Sequence, residues 1–143
     1  MDEIISKLKT PEECIQFANK CTDLAREAHR RAIELRANAQ NAKSELETEL
    51  WKALFAYEEI LSDKNKRRTL AGRTRPMIKS YGIIGAAERV VNRSIEAMGY
   101  KVLVEKGLQD MTFEAVIVRF PEAFDKSIVK LCQERLEELK KIK

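Results

Sequence analysis

The chain has 143 residues, with 27 Lys and Arg against 23 Asp and Glu, a formal net charge of +4 and 44% hydrophobic residues. This suits one folded unit with a real core and excludes wholesale disorder. No apolar run is long enough for a membrane span, the start Met1-Asp2-Glu3-Ile4 lacks a signal-peptide pattern, and the scattered Cys14, Cys21 and Cys132 make no disulfide scaffold but fit a reducing, cytoplasmic setting.

No Gly or Pro lies between Pro11 and Gly72, and the interval is rich in Ala, Leu, Glu, Lys and Arg. Such a composition predicts long helices, because nothing breaks the backbone and most residues lose little rotamer freedom in a helix. Thr10-Pro11-Glu12-Glu13 marks a helix start: Thr as cap, Pro at the first helical position, Glu at the third. Cys14, Phe17, Ala18 and Cys21 follow at helical spacing, and Thr22 is a candidate cap for a second helix.

A drifting stripe then runs through Leu24, Ala25, Ala28, Ala32, Leu35, Ala39, Ala42, Leu46, Leu50, Ala53, Leu54 and Tyr57. One helix over about residues 22–61 would be long for a globular protein, and so predicts a coiled-coil hairpin or a dimer. A break near Asn38 to Asn41 is the alternative. Leu46, Leu50, Trp51, Leu54 and Phe55 supply the bulk, as core or as a dimer interface.

Residues 62–75 read as a charged connection, followed by a helix from about Pro76 with Thr74 as a candidate cap. Gly82 is expected to end that helix, and Ile83 to Arg93 to form another, with Ile84, Ala87, Val90 and Val91 inward. Gly99 is expected to interrupt again. Tyr100 to Lys106 then forms a short helix closed by Gly107, with Leu103 inward. Asp110 or Thr112 caps the next helix. Its run Ala115-Val116-Ile117-Val118 is also strand-like, but has no evident partner strand. After the Pro121 turn, Phe124 packs back and Asp125 caps a last helix with the stripe Ile128, Leu131, Cys132, Leu136 and Leu139; the tail from Lys140 is expected to fray. The expected fold is therefore all-α: a long N-terminal amphipathic helix or helical hairpin over 1–61, then a basic connector and a compact cluster of short helices over 62–143.

The charge is unevenly spread. Residues 62–93 hold nine basic and two acidic residues, net +7, whereas 41–61 and 94–125 each come to −3. Lys64, Lys66, Arg67, Arg68, Arg73, Arg75 and Lys79 precede the helix pair around Gly82, with Arg89 and Arg93 beyond. Exposed Lys and Arg beside a helical corner are what phosphate contact requires, so these seven are the candidate nucleic-acid-binding residues, for DNA or RNA. The competing reading is a solvated linker, or one that answers the acidic segments of its own fold.

Arg73 to Ile84, Gly99 to Ala115 and Leu8 to Cys14 resemble a family of small uncharacterised bacterial and phage-borne helical proteins. The resemblance implies a bacterial or mobile-element origin. It brings no catalytic or binding assignment.

Other constellations are weak. His29 is the only histidine and has no evident catalytic partner. Cys14 and Cys21 would lie about 10.5 Å apart along a helix, too far for one disulfide or one metal. Glu45 with Glu49, and Glu134 with Glu138, read as surface salt-bridge partners rather than metal ligands. Gly72, Gly82 and Gly85 carry no Gly-Lys-Ser/Thr signature, and no Ser-His-Asp arrangement stands out. An enzyme is not the expected class, and no cofactor or metal is expected. The leading expectation is a small accessory protein that binds nucleic acid non-covalently, also as a homodimer. The alternative is an interaction adaptor or inhibitor whose basic segment meets an acidic protein.

Overall fold

The computed structural model describes residues 1–92 and 97–141. Seven α-helices follow one another among them: α1 (Glu3–Ser6), α2 (Pro11–Asn38), α3 (Glu45–Asn65), α4 (Thr74–Val91), α5 (Ala97–Glu105), α6 (Phe113–Arg119) and α7 (Lys126–Lys140), with a 3-10 turn at Pro121–Ala123. The fold is all-α, led by the long helix α2, and the described residues contain no strand. Arg93 and the tail residues Ile142 and Lys143 lie outside the described residues.

The long apolar stripe is split into a hairpin. α2 ends at Asn38 and α3 begins at Glu45, with Asn41 in the left-handed region at φ 55°. Asn tolerates that conformation better than most side chains, which is why the break falls here. Thr22 caps nothing: α2 runs through it, and its hydroxyl donates to the Ala18 carbonyl at 3.1 Å.

Both long helices start with the same local device. Thr10 Oγ1 accepts from Glu13 N at 3.1 Å, while a Glu13 carboxylate oxygen accepts from Lys9 N at 2.8 Å. Ser44 Oγ accepts from Glu47 N at 3.2 Å, and Glu47 accepts from Lys43 N at 3.0 Å. Each Lys-Thr/Ser-x-x-Glu run thus satisfies an amide at the helix start and one just before it, a near relative of the capping box.

α3 is the central helix. One face contributes Leu46, Leu50, Ala53 and Leu54 to a core shared with Ile83, Ala87 and Val91 of α4, Phe113, Val116 and Ile117 of α6, Phe124, and Val129 and Cys132 of α7. Its other face packs Phe55 and Ala56 against Ile33 and Ala37 of α2 and Leu103, Leu108 and Met111 of the α5–α6 region. Trp51 borders both cores and stacks on Phe55, ring centroids 6.0 Å apart. This corrects the interface expectation. Leu50 and Leu54 are 0% exposed, Phe55 4% and Leu46 9%, so four of the five candidate interface residues are consumed inside the subunit.

The stripe expected on α2 is corrected as well. Ile33 and Ala37 are the buried positions, whereas Leu24 and Leu35 are 53% and 52% exposed. Polar links flank this apolar contact. Arg26 Nε donates to the Glu105 carbonyl at 2.9 Å, Arg30 forks onto Asp110, and Arg36 pairs with Glu59 at 3.0 Å. N-terminal to Arg26, every α2 residue is exposed except the half-buried Phe17.

Thr112 Oγ1 accepts from Ala115 N at 3.0 Å, so Val116 and Ile117 are helical and buried. Gly107 at φ 71° closes the turn after α5, and Gly99 lies within that helix rather than interrupting it. Val129, absent from the expected α7 stripe, is buried with Cys132 and Leu139, while Ile128, Leu131 and Leu136 are half-buried.

Candidate nucleic-acid interface

α3 extends to Asn65, four residues into the segment read as a connection. Its end is a well-defined stop. Lys66 adopts φ 55° and ψ 29°, Arg67 N donates to the Ser62 carbonyl at 3.2 Å, and Lys66 N donates to the Asp63 carbonyl at 3.3 Å. These are the paired bonds of a Schellman stop, with lysine where glycine is usual.

The chain is then stitched back onto α3. Thr69 N donates to Ser62 Oγ at 2.9 Å, Ser62 Oγ donates to the Thr69 carbonyl at 3.3 Å, and Asn65 Nδ2 donates to Thr69 Oγ1 at 3.2 Å. A second anchor lies deeper. Glu58, 0% exposed, accepts from Ala71 N at 2.8 Å, from Arg75 Nε at 2.6 Å and from Arg75 Nη2 at 2.7 Å. Burial alone would push the Glu58 carboxyl up. The Arg75 and Ala71 hydrogen bonds and the charges of Arg75 and Arg68 outweigh it and hold the group below its usual range. The Arg75 guanidinium also lies 6.0 Å from the Phe55 ring centroid.

The seven candidate cations therefore divide. Arg75 is committed inward, because its fork is filled by a buried carboxylate, and it is withdrawn from the phosphate-binding set. Lys64, Lys66, Arg67, Arg68, Arg73 and Lys79 are exposed, and among the described residues none forms an ion pair. No Asp or Glu occurs between Asp63 and Glu88, and Asp63 is paired with Lys106 at 3.7 Å.

α4 opens beside these cations. Arg73 precedes Thr74 and supplies no side-chain cap, so Thr74 is the buried first residue of the helix rather than its cap. At Gly82, with φ 77° and ψ 170°, the helix breaks into two segments, a corner open to a residue without a Cβ. Past the corner, Arg89 lies 3.5 Å from the Tyr81 ring centroid, and Gly85 makes room, since a Cβ there would meet Tyr81 Cβ at 2.9 Å.

The sequence reading missed three things at this site: the Glu58 anchor, the Ser62–Thr69 stitch and the inward turn of Arg75. Only the first had a signal, a glutamate among Leu54, Phe55, Ala56 and Leu61 on a core helix.

Elsewhere, His29 Nδ1 lies 4.0 Å from Glu59, which Arg36 already holds. Glu49 pairs with Lys52 and with Arg119, each at 3.3 Å, as ordinary surface carboxylates do. Among the described residues no three His, Cys, Asp or Glu side chains converge on a metal position. Glu114 on α6 is buried and held up to about 7, by burial first, against the opposing charge of Arg135. Its neighbour Cys132 is pushed up to about 12, chiefly by burial and then by the Glu114 charge, which leaves it an unreactive thiol. No helix among the described residues is long and apolar enough to cross a membrane. No family model, no curated protein and no solved structure matches the chain.

Proposed function

We propose that this protein binds nucleic acid non-covalently through the loop that follows α3 and the start of α4, with Lys64, Lys66, Arg67, Arg68, Arg73 and Lys79 as the phosphate-contacting residues. The observation that carries the reading is the coexistence of six exposed, unpaired cations with a loop backbone fixed by Ser62, Thr69 and Glu58. A solvated linker needs no such anchoring. A binding loop gains from it, because less conformational freedom is lost on contact. The chemistry is counterion release, with no bond made or broken. A cytoplasmic setting and membership of the bacterial and phage-borne family belong to the same proposal.

Titration of the full chain with duplex DNA, single-stranded DNA and structured RNA at several salt concentrations tests it. Up to six phosphate contacts give a log–log salt slope of at most about −5 on B-DNA. Charge reversal at Arg67, Arg68 and Arg73 abolishes binding and leaves the thermal melt in place. Absence of binding to all three ligands at low salt overturns the reading and favours an acidic protein as the partner of the same loop.

A further inference from the structure

The N-terminal part of α2 carries a second apolar face that the subunit does not use. The residues that hold α2 to the body are Arg26, Arg30, Ile33, Arg36 and Ala37. Roughly half a helical turn away, Cys14, Phe17, Cys21, Leu24 and Ala28 recur at alternating spacings of three and four, all exposed but the half-buried Phe17. This is the spacing that a left-handed coiled coil requires of its seam, and the face lies opposite the one that packs on the body.

We infer that this seam pairs antiparallel with the same seam of a second copy of the chain, about a two-fold axis near Thr22 and Asp23. Two complementarities select that occupant. The first is size. An antiparallel register sets Phe17 against Ala28 of the second copy and Cys21 against its Leu24, so each large side chain meets a small one. A parallel register would stack Phe17 on Phe17 and Ala28 on Ala28, which crowds one layer and hollows the other. The second is charge. Lys20 and Glu27 flank the seam, and among the described residues neither forms an ion pair within the chain. In the antiparallel register Lys20 comes beside Glu27 of the second copy, twice by symmetry. On the other flank Ala18 and Ala25 let the backbones approach. In a parallel register the flanking Glu13, Lys20 and Glu27 would meet only Ala18, Ala25 and Ala32. Arg31 ends the seam opposite Cys14, its head held by Glu34 at 3.4 Å. The body sits on the far side of α2 and leaves the seam open to a second copy.

Sedimentation equilibrium of the full chain over a concentration series tests the assembly. The wild type is a dimer, and Phe17→Glu with Leu24→Glu is a monomer that keeps the helix content of the wild type and loses only the concentration dependence of its melt, because neither residue packs in the core. Lys20→Glu weakens association roughly fivefold, and adding Glu27→Lys restores it. The register is read by mild oxidation and mass spectrometry. On a Cys14→Ser background, Leu24→Cys yields chains cross-linked through Cys21 and the introduced thiol, and Cys14→Ser alone yields none. A chain that stays monomeric, a dimer that survives the double glutamate variant, or a Cys21–Cys21 cross-link in Cys14→Ser alone overturns the inference. Should the double variant lose helix, the charge-swap pair decides it: failure of Glu27→Lys to restore association overturns the register.

Discussion

Glu58 and Arg75 face each other seventeen residues apart in sequence, joined by two hydrogen bonds of 2.6 and 2.7 Å, the carboxylate wholly buried and the guanidinium partly in solvent. The pair links the core helix to the start of α4, and through Ala71 it also fixes the loop between them. Breaking such a pair from one side leaves a buried charge without its partner. Arg75→Ala is expected to lower stability by about 2–3 kcal/mol, less than a fully buried pair would lose because solvent reaches the arginine. Chemical denaturation measures the loss. Hydrogen exchange at Ala71 should accelerate in the same variant, and on the proposed function nucleic-acid binding should weaken less than in an Arg67 or Arg73 variant assayed where the fold is intact.

Lys66 offers a separation of stability from binding. A lysine in the left-handed conformation costs about 1 kcal/mol or more relative to an unstrained residue, which glycine avoids at some cost in unfolded-chain entropy. Lys66→Gly is therefore expected to stabilise the chain by about 0.5–1 kcal/mol in urea unfolding. On the proposed function, the same variant lowers the magnitude of the salt slope for duplex binding by about 0.9. A more stable protein with a shallower slope is an outcome that general damage to the fold cannot produce.

The two buried glutamates give opposite pH dependences. Glu58 is held below its usual range, so its contribution is present above the unfolded value of about 4.3 and fades as the pH falls through the lower folded value. Glu114 is held up to about 7, so the native state binds more protons than the unfolded chain between about 4.3 and that value, and its stability decreases as the pH rises through the window. Glu114→Gln is expected to flatten this decline. It should stabilise the protein by up to about 3 kcal/mol at pH 8 and change little at pH 4. Denaturation midpoints across the pH range check both signs.

The twin helix starts predict unequal consequences from equal chemistry. Ser44→Ala removes the cap of the central helix, whose first turn already carries core residue Leu46, and should cost about 1 kcal/mol of global stability. Thr10→Ala removes the same bond where α2 is exposed and unattached to the body. Its loss should appear as faster hydrogen exchange near Glu13 and Cys14 with almost no change in the unfolding midpoint.

The helices were legible in the sequence where one local signal sufficed. Thr10-Pro11-Glu12-Glu13 and Thr112 with its following apolar run gave starts that the structure keeps. Val116 and Ile117 resolved as helix because no strand stood near to pair their backbone. What was not legible required knowing neighbours. Leu24 and Leu35 carry more apolar surface than Ala37, yet Ala37 is buried. The face of α2 is fixed by where Phe55, Leu103, Leu108 and Met111 receive Ile33 and Ala37 and where Glu105, Asp110 and Glu59 accept from its arginines, and those partners lie far along the chain or on the next helix. Leu46, Leu50, Leu54 and Phe55 looked equally suited to a partner molecule and to a core. Only the return of α4 to α7 around α3 decides for the core. At the site, composition located the cationic stretch but could not distinguish Arg75 from Arg73, because the difference is one buried carboxylate on the preceding helix.

The stitch of Ser62 and Thr69 beneath the loop separates the side chains that hold the segment from those it shows to solvent. Residues 64, 66, 67, 68 and 73 display their side chains from a mount whose own fastenings are Ser62, Thr69, Ala71 and Glu58 with Arg75. On the proposed function, exchanging the displayed side chains changes what the loop contacts, while the fastenings keep its backbone in place.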